Sequence, residues 1–491
     1  MVLFFTCLVF PVVIPYLLWW IFSRRARLQL FERLGIPGPQ PQSLFYGNAL
    51  EYLSHPIHAL TKWRDEYGDM FGYFYGPRPF LVVSDPVVIK TVLKERFDNF
   101  TDRPDMPVPI EPLASGVVHA INPLWSTSRK PITCALTGSK IKLMNETVNG
   151  FVDEFLEVID EQESKPFNIH QYCQGLTMDV ICKCALAMKT NCIRNQKEPI
   201  LLSVKDFMNE ALNFAVRLAI ALPLFSKVVV FLYNNFTAGK GSDVICNHLK
   251  KVLALRRGVG GPKRSDMLQL LLDTKKENGD GLSETELLGS CFSLVIAGYE
   301  TTANHLAYTF YLLAKHPDIQ KALAEEVDFM EERPTEEDLG KCQLLNRVVR
   351  ESFRMYPPVV TFIARKARDA IHLGNYTIPK EMSVIIPVYQ IHHDENLWPN
   401  PEKFDPDRFS LENSGNISPM SYLPFSDGRR NCLGERFALF ESKLTIARTV
   451  KKFEFSVCPE TEDSITITVP TVVANPKNGV IIKAIPRSQC L

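Results

Sequence analysis

A chain that carries one long, cleanly capped helix must build its core around that rod. Ser283-Glu284-Thr285-Glu286 is a capping box, in which the serine hydroxyl and the Glu286 carboxylate each bond the other's backbone N–H. Helical periodicity then runs on to Lys315 and stops before His316-Pro317, because the residue preceding a proline is pushed out of the α region. At 1.5 Å per residue the rod is roughly 48 Å long, enough to cross a whole domain. Its middle reads Ala297-Gly298-Tyr299-Glu300-Thr301-Thr302. Glycine weakens a helix interior, and threonine hydroxyls can bond the preceding turn's carbonyls and bend it. Two readings stand: a built flaw that serves chemistry, or a glycine at a helix crossing beside a buried polar pair.

The rest of the body is mainly helical with small sheets. Most segments from 56 to 345 keep helical periodicity, apart from a strand pair near 70–84. Short strands and loops follow from 357 to 410, a helix from 433 to 452, and an alternating stretch over 463–485. No repeat, low-complexity tract or internal boundary divides it. Lys+Arg and Asp+Glu are both 55, so the basic excess of a nucleic-acid binder is missing and no nucleic acid is expected as partner. The 12 cysteines are too sparse for a disulfide scaffold, and Cys182 and Cys184 lie too close for paired zinc ligands.

Residues 2–22 form an uncharged apolar stretch long enough to cross about 30 Å of hydrocarbon. Pro11 and Pro15 are tolerated in such a helix, and Trp19 and Trp20 sit where an interfacial belt belongs. Ser23-Arg24-Arg25-Ala26-Arg27 follows with nothing basic before the stretch, which places the C-terminal side in the cytosol. A cleaved signal peptide lacks its basic n-region and small-residue cleavage site here. The expected organisation is a single-pass transmembrane signal anchor over 1–23, a basic stop segment and Pro/Gly-rich hinge over 24–48 that spaces it from the body, and one domain over 49–491. A second apolar stretch, Leu212 to Phe236, is interrupted by Arg217, Pro223 and Lys227; it reads as a membrane-skimming surface, a cavity wall or a core helix pair.

The sharpest chemical signal is Phe425-Ser426-Asp427-Gly428-Arg429-Arg430-Asn431-Cys432-Leu433-Gly434, followed at once by a helix. A cysteine at a helix N-terminus beside arginines has its thiolate favoured. Gly428 and Gly434 let backbone approach a flat ligand closely, and Arg430 can pair bidentately with a carboxylate. Together these suit a thiolate ligand to iron in a carboxylate-bearing porphyrin. The rival is a nucleophilic cysteine, which needs a base such as His392 or His393 beside it.

At every fixed position this segment resembles the Phe-x-x-Gly-x-Arg-x-Cys-x-Gly haem-binding signature of the cytochrome P450 family. Ala297-Gly298-x-Glu300-Thr301-Thr302 resembles the family's oxygen-activating helix, Glu351-Ser352-Phe353-Arg354 its Glu-x-x-Arg motif, and Phe404-Asp405-Pro406-Asp407-Arg408-Phe409 the partner segment. Trp125-x-x-x-Arg129 resembles its propionate-binding helix. The resemblance spans essentially the whole chain and looks nearest to the microsomal branch that holds the drug- and steroid-oxidising enzymes and thromboxane synthase. It implies a single haem-thiolate domain, mainly α with small β-sheets, behind an N-terminal transmembrane helix. The implied cofactor is haem b, its iron held by Cys432 in the loop that begins at Phe425. Trp125, Arg129 and Arg430 match propionate ligands, and Arg103 resembles a further one. Arg365 is the match for the arginine after the Glu-x-x-Arg helix; it lies one residue later than usual, which leaves Arg368 as the alternative. Glu351 and Arg354 share a helix face, and Arg408 could complete a buried charged cluster of structural purpose.

The implied reaction is monooxygenation, with one oxygen atom of dioxygen inserted into a lipophilic substrate. Thiolate donation to iron favours O–O cleavage, as in P450 enzymes generally. Thr301 and Glu300 are the expected catalytic pair, relaying the protons that leave as water. The resemblance implies electrons from NADPH through NADPH-cytochrome P450 reductase, with cytochrome b5 as a second partner, at the endoplasmic reticulum membrane and in contact with its lipid. Residues 425–452 carry Arg429, Arg430, Arg436, Lys443, Arg448, Lys451 and Lys452 against Asp427, Glu435 and Glu441, which is either a basic docking face or an ordinary solvated helix. By family position the pocket draws on parts of 104–122, 200–236, Phe292 to Thr301, Pro358 to Ile363 and Val469 to Val473, largely apolar. The alternative function is a haem-thiolate isomerase or dehydratase acting on a peroxide without dioxygen or reductase; the intact Glu300-Thr301 pair favours the monooxygenase.

Overall fold

The capped rod forms between the residues that sequence marks. In the computed structural model a 32-residue helix runs from Glu284 to Lys315, with Ser283 N–H donating to the Glu286 carboxylate (2.7 Å) and Glu286 N–H to the Ser283 hydroxyl (3.3 Å). The structure describes residues 2–106, 109–210, 214–222, 227–229, 231, 240–257, 266–276 and 278–489. From Thr302 to Ala314 the long helix is buried on every face, and its sequence there is uncharged and largely apolar around Asn304, His305 and Thr309. Its main neighbour is the helix Ile169–Leu186, itself buried nearly all round. A Cβ at Gly298 would lie 2.7 Å from Ile181 Cδ1 of that neighbour, so the glycine is required by a helix crossing.

The helices Gly138–Asp160, Gln343–Met355 and Glu435–Lys452 close the core around the rod, with Phe155, Phe310, Leu345, Phe353, Leu444 and Val450 in one apolar cluster. Each such side chain contributes about 1.5–3 kcal/mol through burial. A second cluster, which includes Ile110, Val117, Phe207, Phe292, Val295 and Val473, gathers along the first half of the rod. The protein is thus mostly helical, with small sheets at its margin. The largest sheet orders Met70–Tyr75, Arg78–Val83, Ser383–Ile385 and Ala364–Lys366. Its first and last pairs are antiparallel and the middle pair parallel, and the register sets Arg365 opposite Val384 and Val384 opposite Leu81. The alternating stretch near the C-terminus forms Ile467–Thr468 against Asn475–Pro476, and Ile481–Pro486 against Phe453–Ser456.

The N-terminal region makes contacts with the body. A helix spans Val2–Leu28, and Ile14, Leu17, Leu18, Trp19 and Phe22 on it are exposed. Among the described residues no helix is long and apolar enough to cross a membrane, and the side chains of residues 1–13 lie outside those described. Arg24 does not sit free in a basic stop segment: it is 7% exposed and donates to the carbonyls of Leu44, Phe45 and Ala221. The Pro/Gly segment lies against the first strand. Gly72 N–H donates to Pro37 O (2.8 Å), and a Cβ at Gly38 would lie 2.0 Å from Gly72 O. Extended proline-rich backbone is stiff, but here it satisfies the edge of the Met70–Tyr75 strand. Much of Leu212 to Phe236 lies outside the described residues, so its readings are left where the sequence puts them.

One buried ion network locks the core beside the helix Gln343–Met355. Arg354 Nε and Nη2 donate to the two carboxylate oxygens of Glu351 (2.8 and 2.9 Å), both side chains being 0% exposed. Arg408 Nε and Asp405 N–H add bonds to Glu351 Oε1 (3.3 and 3.1 Å). Arg354 also donates to the carbonyls of His392 (2.9 Å) and Pro401 (2.6 Å). Glu351→Ala leaves Arg354 buried without its counter-charge, at a cost of about 3–5 kcal/mol. A urea titration of the full chain followed by circular dichroism checks this; a cost below about 1 kcal/mol would class the pair with exposed ones.

Candidate functional site

The cysteine loop is shaped by backbone that ordinary residues avoid. Ser426 and Gly428 have φ of 62° and 77°, and a Cβ at Gly428 would lie 2.1 Å from Leu93 O. Cys432 N–H donates to Phe425 O (2.9 Å), which folds the loop back on itself. The Phe425 ring meets Phe353 at 4.9 Å, and Phe353 stacks on His305 of the long helix at 3.5 Å, so loop and rod are joined through one aromatic column. Gly434 precedes the helix Glu435–Lys452, and no protein atom lies within 4 Å of where its Cβ would be. Cys432 is exposed, and it lines a cavity of about 340 Å³ with Leu433, Glu435, Arg436, Leu439 and Phe440. The thiolate is not favoured outright, as the loop sequence suggested. Although the sulfur opens on this cavity, desolvation by the surrounding protein and the Glu435 carboxylate raise the thiol above its ordinary value, while N–H groups of Gly434 and Glu435 and the Arg129 charge pull it down. Metal coordination deprotonates such a thiol.

Four arginines from four segments converge near this loop. Arg430 is 3% exposed and donates through Nη2 to Ala120 O (2.7 Å) and Asp102 (3.3 Å). Arg365, on the edge strand Ala364–Lys366, is 1% exposed and donates through Nη1 to Ala364 O. Arg103 donates to Phe362 O (2.7 Å) and lies over the Phe362 ring. Arg129 holds Asn431 through its carbonyl (3.0 Å) and side chain (2.7 Å). Trp125 packs under the cluster, its ring 4.4 Å from the Arg430 guanidinium carbon and 5.6 Å from that of Arg129. Burial, then mutual repulsion, pushes Arg365 down to about 9 and lowers Arg103 strongly; burial lowers Arg430 to about 10. Arg103 Nε, Arg365 Nε and Nη2, and Arg430 Nε and Nη1 are buried without a hydrogen-bond partner. Orphaned guanidinium nitrogens on arginines close enough to repel one another fit an anionic group with two carboxylates, as a porphyrin carries. Arg368 is not part of this set: its side chain is 67% exposed and pairs with Asp369.

The long helix supplies the acid and the alcohol, but on separate partners. Thr301 hydroxyl donates to Ala297 O (2.6 Å). Glu300 is 5% exposed, and its Oε1 accepts from Asn475 Nδ2 (2.8 Å). Burial pushes the Glu300 carboxyl up to about 7, against the pull of the Asn475 bond and of Lys205. Phe292 of the same helix meets Phe207 edge-on at 5.1 Å.

Two other expectations meet their answer here. Neither candidate base is set for the cysteine: His392 Nδ1 donates to Arg354 O and Nε2 accepts from Leu423 N–H, while His393 bonds Tyr389 O and stacks on its ring. The basic stretch is not an open docking face. Arg430 turns inward, and Arg436, Arg448 and Lys452 pair with Glu336, Asp153 and Asp160. Lys451 donates to Met330 O, and Arg429, though exposed, lies 3.7 Å from the Asp98 carboxylate.

Sequence reading overlooked His119 and Asn475. His119 approaches Phe362 edge-on (5.9 Å) with Nδ1 unpartnered, and burial with Arg103 and Arg430 nearby pushes it down to about 4. Its nearness to the arginines is set by tertiary packing and leaves no mark in spacing. Asn475 had a partial signal: Asn304, which bonds it (2.6 Å), lies four residues after Glu300 on the same helix face.

The chain matches the family model described as Cytochrome P450 over residues 37–483. It is 32% identical over 476 residues to Cytochrome P450 3A40 of Oryzias latipes, covering 93% of each chain. It is 31% identical over 469 residues to Cytochrome P450 3A30 of Fundulus heteroclitus, covering 93% of this chain and 94% of that one. It is also 30% identical over 473 residues to the Lithocholate 6-beta-hydroxylase of Mesocricetus auratus, covering 94% and 93%.

A hydrogen bond to a charged group is worth about 1.5–3 kcal/mol. Arg365→Met is therefore expected to weaken haem retention about tenfold to a hundredfold, and Arg368→Met to leave it unchanged. Transfer of haem from the purified variants to an acceptor apoprotein measures both.

Proposed function

Because the chain belongs to the cytochrome P450 family, we propose that Cys432 is the residue that holds its haem iron and that Trp125, Arg103, Arg129, Arg365 and Arg430 receive the haem propionates. The enzyme class itself is plain: a P450 monooxygenase with haem iron on an axial cysteine thiolate. The observation that supports this residue assignment is the row of buried, partnerless guanidinium nitrogens beside the cysteine loop. When bound, haem supplies the activation of dioxygen, assisted by thiolate donation.

The chain's own residues then manage protons, water and substrate. Thr301, while its hydroxyl donates to Ala297 O, keeps oxygen lone pairs free to hold an ordered water. Glu300, poised near neutrality in a buried place, is suited to hold and pass on a proton. Phe207, Phe292 and Phe362 give the pocket an apolar lining that excludes water and suits a lipophilic substrate. One relative's printed name refers to lithocholate, which makes sterol-like molecules the first class to screen. Residues 1–23 would anchor the protein in the endoplasmic reticulum membrane with the domain in the cytosol. NADPH-cytochrome P450 reductase would supply electrons there, with cytochrome b5 as a second donor.

The test is a carbon-monoxide difference spectrum of the dithionite-reduced protein. A strongly red-shifted Soret band is expected, and Cys432→Ala is expected to lack it; the same band in the variant would remove Cys432 from its role. Thr301→Ala is expected to keep the band yet release most NADPH-derived electrons as hydrogen peroxide. Full coupling in that variant would end Thr301's part. Product formation that needs neither NADPH, reductase nor dioxygen would mark a peroxide-rearranging enzyme instead.

A further inference from the structure

Glu300 stands at the end of a directed chain of hydrogen-bond donors drawn from three elements. Asn475 Nδ2 donates to Glu300 Oε1 (2.8 Å), and Asn304 Nδ2 donates to Asn475 Oδ1 (2.6 Å) and to Ala474 O (2.9 Å). His170 Nε2 lies 2.7 Å from Asn304 Oδ1. The direction follows from chemistry. The Ala474 carbonyl can only accept, so Asn304 must face it with its amide nitrogen, which leaves Oδ1 to accept N–H from His170 Nε2. Asn475 then accepts through its oxygen and has N–H to give to Glu300. Tyr308 hydroxyl also donates to Ala474 O (2.7 Å), fixing that strand against the long helix. His170, Asn304 and Glu300 are 8%, 0% and 5% exposed. Every dipole in the series turns its positive end toward Glu300 and favours the ionised carboxylate that burial opposes. Glu300 Oε2 is buried and has no partner.

We propose that Asn475, Asn304 and His170 are positioning residues for Glu300: they pin one carboxylate oxygen, leave the other free, and govern when the group gives up its proton. This rests on the part given to Glu300 under Proposed function. The other ionisable groups around it are accounted for. Lys205, on the helix Pro199–Glu210, adds a charge that also favours the carboxylate. Tyr299 and Tyr308, on Glu300's own helix, are held neutral by burial, and burial pushes His170 down to about 4. Near neutrality the member of this network that changes charge is Glu300, pushed up to about 7.

The experiment uses the haem-loaded full chain. Infrared difference spectra across a pH titration report the protonated-carboxyl band that Glu300→Gln abolishes, and its midpoint is read in each variant. Losing a bond that favours the carboxylate raises the midpoint: Asn475→Ala is expected to move it up by about one to two units. Asn304→Ala, acting through Asn475, is expected to move it less and in the same direction. Both are expected to release more hydrogen peroxide per NADPH when reconstituted with reductase and no organic substrate. Should Asn475→Ala fail to retain haem, Asn304→Ala and His170→Gln carry the same measurement. An unchanged midpoint in variants that keep the carbon-monoxide band overturns the proposal and leaves the series a packing feature. If Glu300→Gln abolishes no band and leaves peroxide release unchanged, Glu300's own role falls, and the proposal with it.

Discussion

The structure turns on an excess of buried positive charge that the protein does not itself neutralise. Arg103, Arg129, Arg365 and Arg430 meet with Asp102 as the carboxylate hydrogen-bonded to the set, and several of their nitrogens have no partner. Removing a charge from water costs several kcal/mol unless it is paired. A fold that gathers such groups therefore awaits a dianion, and the haem of the P450 family carries two carboxylates. Binding to the folded state alone stabilises that state by mass action, so cofactor and fold are one thermodynamic unit here.

The Glu351–Arg354 pair shows the contrast. It is as deeply buried as any charge in the molecule, yet both carboxylate oxygens are satisfied, and Arg354 is further spent on the carbonyls of His392 and Pro401. Nothing is left over for a ligand. His392 in turn accepts the Leu423 N–H two residues before Phe425, so this closed network fixes the start of the cysteine loop while the open one keeps donors to spare. Satisfied and unsatisfied arginines thus separate scaffold from site without appeal to sequence motifs.

Local chemistry made much of this legible in the chain itself. The ends of the long helix follow from a capping box and a proline, and the Glu351, Arg354 and Arg408 association from i, i+3 spacing plus a remote arginine. What stayed hidden depends on contacts between distant segments. Arg24 reads as a stop-transfer cation until its carbonyl partners at Leu44, Phe45 and Ala221 are seen. The basic stretch 425–452 reads as a docking face until Glu336, Asp153 and Asp160 take up its charges. Arg365 and Arg368 are equally plausible by counting, and only the fold separates them: Arg365 lies buried on the strand Ala364–Lys366, and Arg368 lies in the bend beyond it, exposed beside Asp369. Gly298 illustrates a further limit: a glycine amid polar residues suggests catalysis, yet its steric need comes from Ile181 on another helix.

The same geometry explains why acid and alcohol, though adjacent in sequence, do not share a partner. Successive residues on an α-helix point about 100° apart, so a helix wedged in the core must present Glu300 and Thr301 to different neighbours. Thr301 closes on its own backbone at Ala297, and Glu300 reaches the strand Asn475–Pro476. A carboxyl on the alcohol's face would meet the apolar distal pocket directly and carry its desolvation cost there. Set one face away and held by donors, it can keep a pKa near neutrality while the pocket stays lipophilic. In the proposed reaction the separation suits one helix to two incompatible demands, a dry binding site and a nearby source of protons.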